Sequence, residues 1–218
     1  GEGIMLDFWD QSQNRTRRTR ASAAVLAMPH FVAERVAGLP KSGFGYAPWV
    51  VANVTVNRPP RGPGVPLAWD NVSAGSRSLG YVVATHQSSS AAQGPTVLTW
   101  YQPLSDLAPG AARELLLERS LGDWQRVVAA DLLEMSPDLD GAIERIDVWR
   151  WGHAMIRPVP GFRSAPARLA AQALEGPLLL AHSDLSGLSL FEEAHYHGVA
   201  AAEAALRRVG HSFTSLLA

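Results

Sequence analysis

Hydrophobic and polar positions follow a period of two at the start of the chain. Ile4 to Trp9 alternates, Asp10 to Asn14 is polar, and Arg15 to Arg20 alternates arginine with threonine, which predicts a β-hairpin. Ala21 to Met28 is small and apolar, the pattern of a buried strand, and it stops at Pro29. Phe31 to Ala37 reads as a short helix closed by Gly38 and Pro40. Between Lys41 and Gln102 the pattern predicts strands at Trp49 to Val56, Pro66 to Val72, Leu79 to His86 and Thr96 to Gln102. Their separators are rich in Gly, Ser and Pro, and Arg58 to Pro66 alone holds four prolines. Helical period takes over from Ala111. Gly122 as a stop and Asp123 as a fresh N-cap divide it into helices at about 110–120 and 124–135. Trp124, Val127, Val128 and Leu132 then line one apolar face. Ile143 to Trp151 reads as a strand, Pro166 to Leu174 as a short helix, Leu178 to Ala181 as a buried strand and Leu190 to Val209 as a final long helix. The expected class is α+β: a mixed, largely antiparallel sheet with flanking helices, followed by a terminal strand–loop–helix.

Composition narrows the chemistry. The 218 residues are 47% hydrophobic and 18% charged, enough apolar material for a sizeable core and unlike a disordered polyelectrolyte. Nineteen basic and twenty acidic side chains leave a net charge of −1, which argues against a protein held on nucleic acid by phosphate neutralisation. Arg15 to Arg20 accordingly reads as the solvated face of a strand. Absence of cysteine excludes disulfides, thiolate metal sites and cysteine nucleophiles. No apolar run approaches the ~18 residues of a membrane span, and no signal peptide is visible, so the compartment stays open. Asn14, Asn53 and Asn71 head Asn-x-Ser/Thr triplets that carry little without secretion.

The densest chemistry lies near the carboxyl end. An apolar strand runs into the polar loop His182-Ser183-Asp184-Leu185-Ser186-Gly187, and a helix follows. Ser189 and Glu192 have the spacing of a capping box. A strand, a short loop and a helix amino terminus offer amides and a helix dipole to an anion or an electronegative carbonyl. Ala194, Gly198, Ala201 and Ala205 form a small-residue stripe suited to close packing. Other chemistries fit less well. His195 and His197 are two apart on a helix and point about 200° apart, and His182 has no third ligand at useful spacing, so no metal site is expected. No Gly-x-Ser-x-Gly elbow supports a serine hydrolase.

The segment Leu180-Ala181-His182-Ser183-Asp184-Leu185-Ser186-Gly187, with Glu192, Ala194, Gly198 and Ala201-Ala202, resembles the carboxyl-terminal flavin motif of the FAD-dependent amine oxidase superfamily, which includes monoamine oxidases, protoporphyrinogen oxidases and phytoene desaturases. Ala24-Val25-Leu26-Ala27-Met28-Pro29 resembles that family's strand returning from substrate domain to flavin domain. Trp149-Arg150-Trp151-Gly152-His153-Ala154-Met155-Ile156-Arg157-Pro158 resembles the stretch that runs beside the flavin. The chain departs from the family pattern at His182-Ser183, where many relatives have Ala-Gly, and at Glu193, where they have Gly.

The resemblance implies an oxidoreductase whose FAD takes a hydride from an amine or C–C substrate. Asp184 would contact the ribityl–phosphate linkage, with Ser186, Gly187 and Glu192 in the same loop and helix start. The amides around Leu190 and Phe191 would face the pyrimidine end of the ring, and Trp151 and His153 would lie near ring or substrate. It further implies three segments: 1–40 returning toward the flavin domain, 41–160 binding substrate, and 161–218 completing a Rossmann-like FAD domain. The Gly-x-Gly triplets at Gly1, Gly43 and Gly62 lack the third glycine of a dinucleotide-binding turn. The expectation is therefore the carboxyl-terminal portion of a longer enzyme, without tight FAD binding or turnover by itself. The small-residue face of its last helix would be mobile, repacked, or covered in a homo-oligomeric contact. A cofactor-free binding or regulatory module with the same fold is the alternative.

Overall fold

The computed structural model describes residues 3–61, 67–84 and 94–217. The chain divides into two compact units, one made of residues up to Gly45 together with Ile156 onward, the other of Tyr46–Met155.

The unit of Tyr46–Met155 is built on a five-stranded antiparallel sheet. Its strands are β4 (Tyr46–Val56), β5 (Asp70–Asn71), β6 (Tyr81–Val83), β7 (Thr96–Pro103) and β8 (Ile143–Ile156), in the order β5-β6-β7-β4-β8. β4 and β7 pair from Trp49↔Pro103 to Val56↔Thr96. Alternation along β4 puts Val50, Ala52, Val54 and Val56 on one wholly buried face. Against it pack Ala112 and Leu116 of α2 (Pro109–Glu118) and Trp124, Val128 and Leu132 of α3 (Leu121–Met135). A period-two strand face thus meets the period-3.6 stripes of two helices, with Leu98 and Trp100 of β7 completing the core.

The boundary between α2 and α3 differs from the expectation. Ser120, not Asp123, is the N-cap: its hydroxyl accepts from the Asp123 amide while the Asp123 carboxylate accepts from the Ser120 amide. Gly122 sits inside the helix, because a reciprocal cap two residues earlier satisfies the orphan amides first. Of the strand expected at Pro66 to Val72 only Asp70–Asn71 forms, and of Leu79 to His86 only Tyr81–Val83; residues 66, 85 and 86 lie outside the described ones. β8 runs five residues beyond Trp151. Its Ile146 and Val148 join the core, and Arg150 donates to the Leu117 carbonyl on the helix side, so Trp149, Trp151 and Met155 are exposed on the opposite face.

The other unit begins with the expected hairpin, β1 (Ile4–Asp10) and β2 (Arg15–Ala21), in seven-residue register around a turn where Asn14 has φ 48°. The arginine–threonine run is exposed, and Arg18 makes a two-pronged pair with Asp7 at 2.7 and 2.8 Å. β3 is shorter than the expected apolar stretch, covering only Ala24–Leu26. It lies parallel to β9 (Leu178–Leu180), from Ala24↔Leu178 to Leu26↔Leu180. α1 (His30–Ala37) ends at Gly38, whose φ of 64° forms a left-handed cap. With α4 (Pro166–Gln172) and α5 (Phe191–Arg208), these strands enclose a second core of Leu26, Ala33, Leu180 and Leu185. Along α5 the small stripe is half-buried to buried. After the helix the chain folds back, so that the Leu216 amide and Ser215 hydroxyl bond Glu203. Among the described residues no helix is long and apolar enough to cross a membrane.

Leu98 is fully buried against both helices, whereas Leu117 is 65% exposed. Leu98→Ala should lower stability by about 3 kcal/mol through lost burial and a residual cavity. Leu117→Ala should stay within about 0.5 kcal/mol of the parent. Urea unfolding of the two variants measures the difference.

Candidate functional site

The loop after β9 is where the expected site residues concentrate. The Ala181 amide donates to the Leu26 carbonyl at 3.1 Å, carrying the strand pairing one step further. His182 is extended, Ser183–Leu185 form one turn of 3-10 helix, and Gly187 closes the loop at φ 76°. A side chain at Gly187 would also drive into the Phe162 ring, so both backbone conformation and space require glycine there.

Three imidazoles and one carboxylate are buried around this loop. Asp184 accepts from the His30 amide at 2.8 Å, so it caps α1, whose own N-cap, Pro29, offers no side-chain bond. His30 Nδ1 lies 3.3 Å from His182 Nε2, and His30 Nε2 lies 3.5 Å from Glu34 Oε1. That carboxylate oxygen also accepts from the Ser42 amide and hydroxyl, at 2.7 and 2.6 Å. A carboxylate facing Nε2 favours the proton there, which leaves His30 Nδ1 to accept from His182 Nε2. His182 Nδ1 is then a bare acceptor, and it is buried with no hydrogen-bond partner among the described residues. On the far side of the loop Ser186 Oγ lies 2.8 Å from His197 Nε2 of α5.

Burial holds all three histidines below the ordinary imidazole pKa. For His30 the desolvation is opposed by the Glu34 and Asp184 carboxylates. For His197 it is opposed by Glu193. His182 is pushed down to about 4: desolvation is the largest cause, Asp184 opposes it, and the neighbouring His30 and His197 add to it. At neutral pH the group is a set of neutral imidazoles.

The expected site residues separate into three groups. Asp184, Ser186 and Gly187 are brought together, but as an interlocked loop: the carboxylate turned onto α1, the hydroxyl onto His197, the glycine against Phe162. Leu190, Phe191 and Glu192 form the exposed start of α5, with Phe191 79% exposed and stacked on His195 at 5.9 Å. The capping box expected from Ser189 and Glu192 does not form. Leu190 is the N-cap without a side-chain bond, and Ser189 Oγ instead accepts from the Ile156 amide at 3.1 Å. The Leu190 amide donates to the Leu188 carbonyl, so the loop turns before the helix begins. Trp151 and His153 belong to the other unit, on the exposed side of β8, where the His153 ring meets Tyr46 edge-on at 5.9 Å. Burial, with Arg113 nearby, lowers the His153 pKa.

His30 and Glu34 escaped the sequence reading. Their signal was present: His30 and His182 each follow closely on the carboxyl end of a short apolar strand, and parallel pairing of those strands places them side by side. Among the described residues no group of three or more His, Asp or Glu is arranged to hold a metal ion. No protein-family model and no curated protein sequence matches the chain.

Acid should unfold this unit through its histidines. Their folded pKa values lie below the unfolded value of 6.5, so the unfolded chain binds more protons below that pH, and for His182 the window extends down to about 4. The contribution is intact above pH 6.5 and is lost as pH falls toward 4, by about 2–4 kcal/mol for His182. His182→Asn should flatten urea midpoints measured across that range. Gly187→Ala should cost roughly 1–3 kcal/mol at every pH, from strain and the Phe162 clash.

Proposed function

We propose that this chain carries the substrate-binding sheet and the flavin-facing strand–loop–helix of an FAD-dependent oxidoreductase resembling the amine oxidase superfamily. One observation carries the reading. Two segments that resemble flavin-domain motifs, Ala24 to Pro29 and Leu180 to Gly187, are joined where β3 pairs in parallel with β9 as far as Leu26↔Leu180, and where the Asp184 carboxylate accepts from the His30 amide, 154 residues away in sequence. Parallel strands whose carboxyl ends run into a polar loop and a helix start are the usual setting for a bound nucleotide.

The residues present fit the flavin end of such a ligand. First-turn amides of α5 have no side-chain cap, and the exposed Leu190 and Phe191 beside them provide an apolar surface for a planar ring. A helix amino end there would stabilise negative charge building at the pyrimidine side of the ring. Asp184 would act chiefly through the loop it fixes, since its Oδ2 is committed to the His30 amide. Bound FAD would supply a hydride acceptor at its ring N5. On β8, Trp151 offers an exposed indole and His153 an imidazole held neutral at physiological pH, both suited to contacting a small-molecule substrate. The Gly-x-Gly-x-x-Gly turn that grips the pyrophosphate does not occur in these 218 residues, so that grip would come from sequence outside them.

The division of labour sets the test. Titrations of the 218-residue protein followed by flavin fluorescence should give weak, saturable binding of riboflavin, FMN and FAD, equal within about threefold because the adenosine diphosphate half gains nothing. Phe191→Asp should weaken all three alike. FAD binding tighter than riboflavin by about a hundredfold would remove the need for an external pyrophosphate grip. No saturable binding of any of the three would favour the cofactor-free module.

A further inference from the structure

A cleft lies within the unit of Tyr46–Met155, lined by residues of that unit alone and independent of the flavin reading. It has a volume of about 460 Å³ and lies between the segment Gly75–Ser78, the end of β7, and α2 and α3. That is within the range of small-molecule sites, and its floor is apolar: Trp100 and Trp124 are buried indoles and Leu104 lies beside them.

Its polar wall is built around the fixed carboxylate of Asp131. Asp131 accepts from Ser76 Oγ at 2.5 Å through Oδ1, and from Ser78 Oγ and Trp100 Nε1 at 2.6 Å each through Oδ2. Ser76 Oγ accepts from the Ser78 amide and Ser78 Oγ from the Gly80 amide, each at 2.9 Å, so the donors are locked before any ligand arrives. All three donors are neutral. They orient the carboxylate and leave its charge in place, and among the described residues Asp131 has no ion-pair partner. The other charges around the cleft are Glu134, one turn along α3, and Arg77, Asp106 and Arg119. Arg77 and Asp106 neutralise one another at 3.3 Å. Arg119 instead lies over the Trp124 ring, its guanidinium carbon 4.9 Å from the centroid. The indole floor therefore already takes a cation from the chain itself, beside a carboxylate that no cation neutralises.

We propose that this cleft binds an aliphatic ligand ending in a guanidinium or ammonium group, which displaces Arg119 from the Trp124 face and pairs with Asp131. The neutral donors around Asp131 favour a cation over a carboxylic acid or an anion, and the apolar floor favours an alkyl stem over a free inorganic ion. The same group could arrive as a free amine or as a basic side chain of a peptide.

Tryptophan fluorescence of the 218-residue protein reads binding directly, because two indoles form the floor. The probes are n-butylguanidinium, n-butylammonium, n-butanol, butyrate and an amidated Gly-Arg-Gly peptide. The two small cations should give saturable changes that weaken with salt, whereas butanol and butyrate should give none. The peptide arm decides the source: equal or tighter binding of the peptide identifies a basic side chain as the ligand, and its failure identifies a free amine. Asp131→Asn should reduce cation affinity by about tenfold or more. Arg119→Ala, on the rim of the cleft, should increase it severalfold by vacating the indole face, and it carries the test if Asp131→Asn fails to fold. Binding of butanol equal to that of butylammonium, unchanged affinity in Asp131→Asn, or no gain in Arg119→Ala would each overturn the proposal.

Discussion

The amide of His30 donates to a carboxylate 154 residues away, and this bond holds the first unit together in a way that local structure cannot. α1 has only eight residues, no acidic residue in its first turn and an N-cap proline without a side-chain acceptor. A helix of that length is marginal alone, and its first amides require a partner once buried. Asp184 supplies one from the loop after β9, while β9 pairs in parallel with the strand that leads into α1. Strand pairing and helix capping are therefore one event: neither the loop nor the helix is complete until the two ends of the unit meet. Such closure is entropically costly, and the small core of Leu26, Ala33, Leu180 and Leu185 forms only when it has occurred.

The buried imidazoles follow from the same closure. His30 and His182 meet because their strands do, and burial then keeps both neutral against the opposing Asp184 carboxylate. In the flavin reading, a loop tied down in this manner would present a rigid entry to α5, with Asp184 and Ser186 spent on internal bonds and the helix amides left for a ligand. The residues most conspicuous in the sequence, Asp184 and Ser186, would position the site, and the less conspicuous backbone of α5 would contact the ring.

What could be read from the sequence tracks the range of the forces involved. The hairpin, α1 with its glycine cap, and the stripe Trp124, Val127, Val128 and Leu132 are set by periods and local propensities, and they appear close to where expected. Strand ends were less legible. β3 is three residues of an eight-residue apolar stretch, since Ala21 belongs to the hairpin and pairing with β9 stops at Leu26. Competition between two plausible caps decided the start of α3 in favour of Ser120, and a similar contest left Ser189 bonded to Ile156 in place of its own helix. The role of Asp184 as a cap for a remote helix, and the clamping of Asp131 by Ser76, Ser78 and Trp100, depend on tertiary contacts that no spacing encodes.

The hairpin of β1 and β2 is a two-stranded ribbon, and each of its outer edges presents backbone donors and acceptors that no third strand takes up among the described residues. Such edges are templates on which another chain can add. Four exposed arginines on β2, two of them tethered to Asp7 and Asp10 across the ribbon, place a row of positive charge along one of those edges. Two copies approaching edge to edge through β2 would bring these rows of arginines together. The arginine run, which at first sight suggests a grip on nucleic acid, thus works against edge-to-edge pairing of two copies through β2.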